Sequence, residues 1–198
     1  MAPNRNCGDS AHLVCTSAAR TGKEVAHRTA DELFDVHGVE FGAALAGYQG
    51  HVHRVIELVG TWVELTQREA IVLGVGAFFH DSGIWLNSTF DYLAPSVVRA
   101  ANHIGEHAPS DVELVTAIIS EHHRVRPTRS PAAIVEAFRR ADLTDVSFGA
   151  VAMPGTTRAQ YRSLLAKYPS SGFRRGLAAV SVRWVVRHPN RPLPMLKW

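Results

Sequence analysis

The chain has 198 residues, of which 46% are hydrophobic and 20% charged, and its formal net charge is +3. That length can bury one sizeable core but is short for two full domains, and the composition excludes a wholly disordered chain, a collagen-like fibre and a disulfide scaffold. Lys and Arg are spread along the chain and gather only mildly at residues 124–129 and near the C-terminus, so the basic balance carries no nucleic-acid signal.

The first 20 residues, MAPNRNCGDSAHLVCTSAAR, are small and polar, with no apolar stretch behind a basic start. They read as a mobile leader rather than a secretory signal, ahead of a helical domain over residues 21–198. The longest apolar run, residues 70–79, is far below the roughly 20 residues of a bilayer span. A cytoplasmic protein with no membrane partner is therefore expected. Both cysteines, Cys7 and Cys15, fall in the leader. This suits a reducing compartment, excludes a cysteine-rich zinc module and leaves a Cys7–Cys15 bridge open.

Val25, Ala26, Ala30, Leu33 and Phe34 fall at helical spacing and predict a helix over residues 23–36, with Gly38 as its stop. A second helix is expected over residues 42–65, with Leu45, Tyr48, His51, Val52, Val55, Ile56 and Val59 along one side, against the cost of its glycines. Thr66 and Glu69 form a capping-box pattern before an apolar run that ends near Phe79. Pro95 opens a shorter helix reaching His107, and Ser110 with Glu113 repeats the capping-box pattern before the apolar run at residues 115–119. Ser130 followed by Pro131 reads as an N-cap with proline at the first helical position, introducing residues 132–146. Thr157 caps a helix to Lys167, and residues 173–187 make the last. In the proline-punctuated tail, Leu193, Met195, Leu196 and Trp198 are too apolar to be left in water, so the tail is expected to dock. No stretch alternates as a strand would. The expected fold is all-α, a single helical bundle.

Eleven histidines are the compositional oddity, since His is the commonest metal ligand. His51 lies mid-helix, His80 and Asp81 end the next helix, His122 and His123 end another, and Asp142 sits inside a later one. Taken singly, each has a plain reading. His51 would be a satisfied core histidine, Asp81 a helix-end acid, Asp142 a partner of Arg139 or Arg140, and the 122–123 pair a helix end favoured by the dipole. Neighbouring helix positions point about 100° apart, so His80 and Asp81 can share one ion only at the helix end, where Gly83 opens the backbone.

Together the segments resemble the HD-domain superfamily of metal-dependent phosphohydrolases, whose pattern is a His, an adjacent His-Asp pair and a distant Asp on successive helices. GHVHRVIEL is similar to the first motif and singles out His51 over His53. AFFHDSGIW is similar to the eponymous motif, and FRRADLTDV to the last, singling out Asp142 over Asp145. The resemblance spans residues 48–147, and the HDxGIW-type turn, tyrosine loop and tail resemble a bacterial HD-domain subgroup that brings an architecture but no substrate. Many members carry a lysine after the HDxG glycine, whereas this chain has Ile84 and Trp85, so that lysine's phosphate-handling role has no counterpart here.

The resemblance implies one divalent cation, Mn, Fe, Co, Ni or Mg, held by His51, His80, Asp81 and Asp142, with His122 and His103 as weaker candidate ligands where a second ion binds. Imidazoles with carboxylates are of intermediate hardness and suit octahedral sites with open water positions. Asp81, His122 and His123 would move protons. Arg54, Arg124 and Arg126, close in sequence to these ligands, suit phosphate oxygens, with a structural role for Arg54 as an equal reading; Tyr92 in the NSTFDYLAPS loop would face substrate or, equally, pack with Phe90 and Leu93 as a lid on the core. His103 and His107, one turn apart in a polar setting, read rather as a solvated face. His12, His27, His37 and His188 receive no role. The expected function is hydrolysis of a small phosphate ester such as a nucleotide. Its rivals are a di-iron oxygenase or a hydratase on the same scaffold, and a non-enzymatic nucleotide-sensing module. A homo-oligomer is left open.

Overall fold

The structure, a computed structural model, describes residues 21–191 and 194–195. The expected leader with its two cysteines, and Leu193, Leu196 and Trp198 of the tail, lie outside the described residues. Among the described residues the chain forms helices α1 (Gly22–His37), α2 (Leu45–Trp62), α3 (Gln67–Phe79), α4 (Gly83–Leu86), α5 (Leu93–Gly105), α6 (Val112–Glu121), α7 (Ala133–Val146), α8 (Arg158–Lys167) and α9 (Phe173–Arg187), and no β-strand. The fold is an all-α bundle. None of the described helices is long and apolar enough to cross a membrane.

Capping boxes start three of these helices: Thr21 with Glu24, Thr66 with Glu69, and Thr157 with Gln160. In each, the threonine hydroxyl accepts the N3 amide and the N3 side chain accepts the threonine amide, so two otherwise orphaned donors are satisfied. Three other starts differ from expectation. The second helix begins at Leu45, after a 3-10 segment in which Gly42 takes φ 51° and ψ −128°, a conformation open to glycine. Ser110 caps nothing. A 3-10 turn, Pro109–Asp111, precedes α6, and the Asp111 carboxylate is taken by Arg68 at the start of α3. Helix α7 begins at Ala133 rather than at Pro131, because Ala132 is extended and the Ser130 hydroxyl accepts the Ala132 amide in a local turn.

Helix α3 is the centre of the bundle. Ala70 and every residue from Val72 to Phe79 are buried, the pattern of a helix covered on all sides. Helices α1, α5 and α6 pack on it, while α2 packs on α7. A smaller apolar cluster joins Ile84, Phe90 and Tyr92 to Met195, so the described part of the tail is docked there.

Gly83 acts by its size. It opens α4, its amide donates to the Ser96 hydroxyl at 3.1 Å, and a Cβ there would lie 2.9 Å from both that hydroxyl and the Tyr92 carbonyl. Gly83→Ala should therefore push α4 off the start of α5 and cost about 1–3 kcal/mol, the usual range for overpacking. An unchanged melting temperature would show that the contact gives way freely.

Glu136 on α7 anchors the loop that follows α6, accepting from the Thr128 amide, Arg139 and Arg140. Burial would raise its carboxyl, but these donors outweigh burial and hold it at about 2. A depressed carboxylate stabilises the fold above its unfolded value of 4.5 and loses that contribution as the pH falls towards 2. Glu136→Gln should thus lower the melting temperature at pH 7, and its gap from the unchanged chain should close between pH 4.5 and pH 2.

Candidate metal centre

Four helices deliver the cluster. His51 projects from the middle of α2, and His80 and Asp81 follow directly on α3, where the His80 amide still bonds the Gly76 carbonyl. His122 and His123 follow α6, and Asp142 lies in α7. His51, His80, Asp81, His122 and Asp142 are all buried, while the side chain of His123 is 21% exposed. The Nε2 of His51 is 3.1 Å from that of His80 and 3.3 Å from Asp142 Oδ1. His80 Nε2 lies 3.6 Å from Asp81 Oδ2 and 3.7 Å from Asp142 Oδ1. His122 and His123 place their Nε2 atoms 3.4 and 3.9 Å from Asp81 Oδ1.

The far side of each ring explains why the Nε2 atoms converge. His80 Nδ1 donates to the Ala77 carbonyl and His122 Nδ1 to the Ile119 carbonyl, each at 2.7 Å, and His51 Nδ1 donates to Asp145 Oδ2 at 2.7 Å. A carbonyl only accepts, so Nδ1 carries the proton and Nε2 is left as the inward-facing atom, the arrangement that orients ligating imidazoles. Two such nitrogens 3.1 Å apart repel through their lone pairs unless a proton or a metal cation lies between them.

Asp81 Oδ1, His122 Nε2 and Asp142 Oδ1 are buried without a hydrogen-bond partner. Leaving such atoms unsatisfied costs about 1–3 kcal/mol each, more for charged groups. The ligand atoms fall into three overlapping groups that could hold an ion: His51, His80 and Asp142; His80, Asp81 and His122; and His122, His123 and Asp142. A thiolate-free set of imidazoles and carboxylates with orphaned acceptors fits a divalent cation of hard to intermediate character.

The electrostatics agree. Burial pushes His51 down, but Asp142 and Asp145 outweigh it and lift it to about 9. Burial, opposed by Asp81 and reinforced by His122 and His51, holds His80 at about 4. Burial and the adjacent His122 do the same to His123, also at about 4. Burial would raise Asp81, yet His80, His122 and His123 hold it well below the usual carboxylate range. The protein answers paired buried carboxylates with protons where a cation would sit.

Asp145, the acid set aside in favour of Asp142, has a different task. Arg54 grips it with two bonds, Nε to Oδ1 at 2.6 Å and Nη2 to Oδ2 at 2.8 Å, and the Tyr161 hydroxyl donates to Oδ1 at 2.9 Å. The two pairs mirror each other: His51 and Arg54 are three apart on α2, as Asp142 and Asp145 are on α7, so each pair shares a helix face. Of the two readings of Arg54, this geometry fits the structural one. It is fully buried, its Nη1 donates to the Tyr168 carbonyl, and it braces the carboxylate that holds His51.

Other expected residues divide. The buried Tyr92 donates its hydroxyl to His123 Nε2, at the edge of the cluster. Arg124 pairs with Glu121 at 3.0 Å and lines a separate cavity with Ser120 and Thr128, and Arg126 is exposed. His103 does not join the cluster, because it lies on α5 beyond Phe79, with its ring 6.0 Å from the phenyl. The plain reading of Asp142 also fails, since Arg139 and Arg140 pair with Glu136. His53 faces away from His51, with Nε2 3.1 Å from Asp31 and Nδ1 2.7 Å from His27 Nδ1. Two aromatic contacts escaped the sequence reading. Phe173 of α9 stacks on His51 at 4.8 Å, and the Tyr48 hydroxyl accepts from the Asp81 amide.

Asp145→Asn should leave Arg54 buried without its counter-charge and His51 without its anchor. The expected cost is about 3–5 kcal/mol in denaturant unfolding, with metal content falling in elemental analysis. A variant that keeps both would show that Arg54 and Asp145 are incidental to the centre.

Comparison with known proteins returned no matching family model, no matching curated protein and no matching solved structure.

Proposed function

We propose that the chain is a metal-dependent hydrolase of HD type that cleaves a small phosphate ester, with nucleotides as the substrate class and the cytoplasm as its place of work. The observation that carries this reading is the convergence of orphaned Asp81 Oδ1, His122 Nε2 and Asp142 Oδ1 on the inward nitrogens of His51 and His80. His51, His80, Asp81 and Asp142 would hold the cation, which when bound lowers the pKa of a water towards neutrality and polarises a phosphoryl oxygen.

The protein's own groups supply the proton handling. His122 is pushed down by burial but raised overall by Asp81 and Asp142, which suits it to carrying a proton towards a leaving oxygen. His123, kept neutral, accepts the Tyr92 hydroxyl, whose own ionisation is suppressed by burial and by Asp81. Of this pair Tyr92 is buried and His123 is the partly exposed member, the one on the solvent side of the cluster.

One observation favours a second reading, a two-ion oxygenase or a hydratase. His122, His123 and Asp142 make a third ligand group, and neither Arg54 nor Arg124 presents a free guanidinium to a phosphate there.

Elemental analysis of protein purified without chelator, paired with phosphate release from nucleotides and small esters on adding Mn, Co, Ni, Fe or Mg, separates the two. About one ion per chain with release is expected. Two irons without release would support the second reading, and absence of metal would overturn both. Asp81→Asn should stay folded by circular dichroism yet lose metal affinity and phosphate release by at least about 100-fold, since even outer partners of a ligand are worth 10–100-fold.

A further inference from the structure

Beyond the metal cluster, a cavity of about 420 Å³ opens between α4, the loop at residues 87–92 and α9. Its volume falls in the range of small-molecule sites. Trp85, Phe90 and Trp184 give it aromatic walls, with the Phe90 and Trp184 rings 5.9 Å apart. Arg183 and Arg187 also line it, one turn apart on α9. Among the described residues neither arginine makes an ion pair, and like charges at this spacing destabilise a helix. Both side chains are exposed, so their guanidinium groups stand free at the mouth of the cavity. Glu40, the acid in the lining, is already engaged by His37 Nδ1 at 3.1 Å, while His188 adds a third nitrogen base stacked on Trp184.

The rim is built rather than loose. Ser88 takes φ 50°, a left-handed conformation that is uncommon for a residue other than glycine and that recurs at ligand clamps. Arg191, just beyond α9, bridges to Asp91 at 3.1 Å and ties the helix end to the loop. The cavity is also distinct from the metal cluster. Trp85 forms its inner wall and contacts Tyr48 and Phe173, at 4.8 and 5.9 Å between ring centroids, and Phe173 in turn stacks on His51. One aromatic layer separates the two sites.

We propose that this cavity binds a small planar anion, an aromatic ring bearing a phosphate or carboxylate, with the ring among Trp85, Phe90 and Trp184 and the charge on Arg183 and Arg187. Guanidinium groups match both oxyanions bidentately, and an aromatic box supplies stacking that the ring would fill. The proposal does not rest on the metal reading.

Isothermal titration calorimetry of the full chain with AMP, benzoate and uncharged adenosine tests it, alongside the R183Q/R187Q double variant and Asp81→Asn. Saturable binding of AMP or benzoate is expected, with adenosine much weaker, and the arginine variant should lose about tenfold or more in affinity while staying folded by circular dichroism. Binding of AMP alone identifies phosphate as the charge, and binding of benzoate alone identifies carboxylate. Asp81→Asn should bind as the unchanged chain does. Failure of both anions to bind, equal binding by the arginine variant, or loss of binding in Asp81→Asn would each overturn the proposal.

Discussion

A single buried carboxylate holds the centre of this protein together. Asp145 lies between His51 and Arg54 of α2 and is itself on α7, so one side chain binds the two helices that carry the first and last members of the cluster. Burial opposes its charge, but the Arg54 guanidinium and His51 hold it well below the usual carboxylate range. A buried ion pair of this kind is a weak source of net stability, because desolvation consumes most of its Coulombic gain. Its value is directional. It fixes the His51 ring, and with it the spacing to His80.

The other ligands are fixed by backbone rather than by side chains. The C-terminal carbonyls of α3 and α6 are free to accept once their helices end, and His80 and His122 use the Ala77 and Ile119 carbonyls to aim their rings. Two helix ends therefore serve as ring clamps. This is why two of the candidate ligand histidines follow helix ends, and why the apolar residues of α3, packed on every side, matter to the geometry of the cluster.

Much of this was legible beforehand, for physical reasons. Amphipathic spacing and the Thr66–Glu69 box are local signals, so α3 and its terminal His80–Asp81 could be read from the chain. So could the order of His51, His80, Asp81 and Asp142, which the structure gathers into one buried cluster. Illegible were the features that depend on distant partners. Ser110 and Pro131 carry good local start signals, but Arg68 claims Asp111, and Glu136 claims the Thr128 amide. The fate of Arg54 was likewise invisible, because the same side chain suits a phosphate or a buried carboxylate, and only Asp145, 91 positions away, decides between them. His103, expected rather on a solvated face, indeed stays out of the cluster, with its ring 6.0 Å from that of Phe79.

The charge balance of the cluster bears on what the site is for. Asp81, Asp142 and Asp145 are all held ionised in a buried setting, and Arg54 answers one of them. His51 and His122 are each raised by the carboxylates they face, His51 to about 9. A hydrophobic core gains nothing from such an arrangement, and packed apolar residues of similar volume would be at least as stable. A divalent cation supplies two positive charges at one point, and it would reach Asp81 Oδ1 and Asp142 Oδ1, which have no hydrogen-bond partner. The arrangement that is costly as a core is thus well matched to a metal, and Asp145 with Arg54 keeps it so by holding His51 in place while the charge beside it changes.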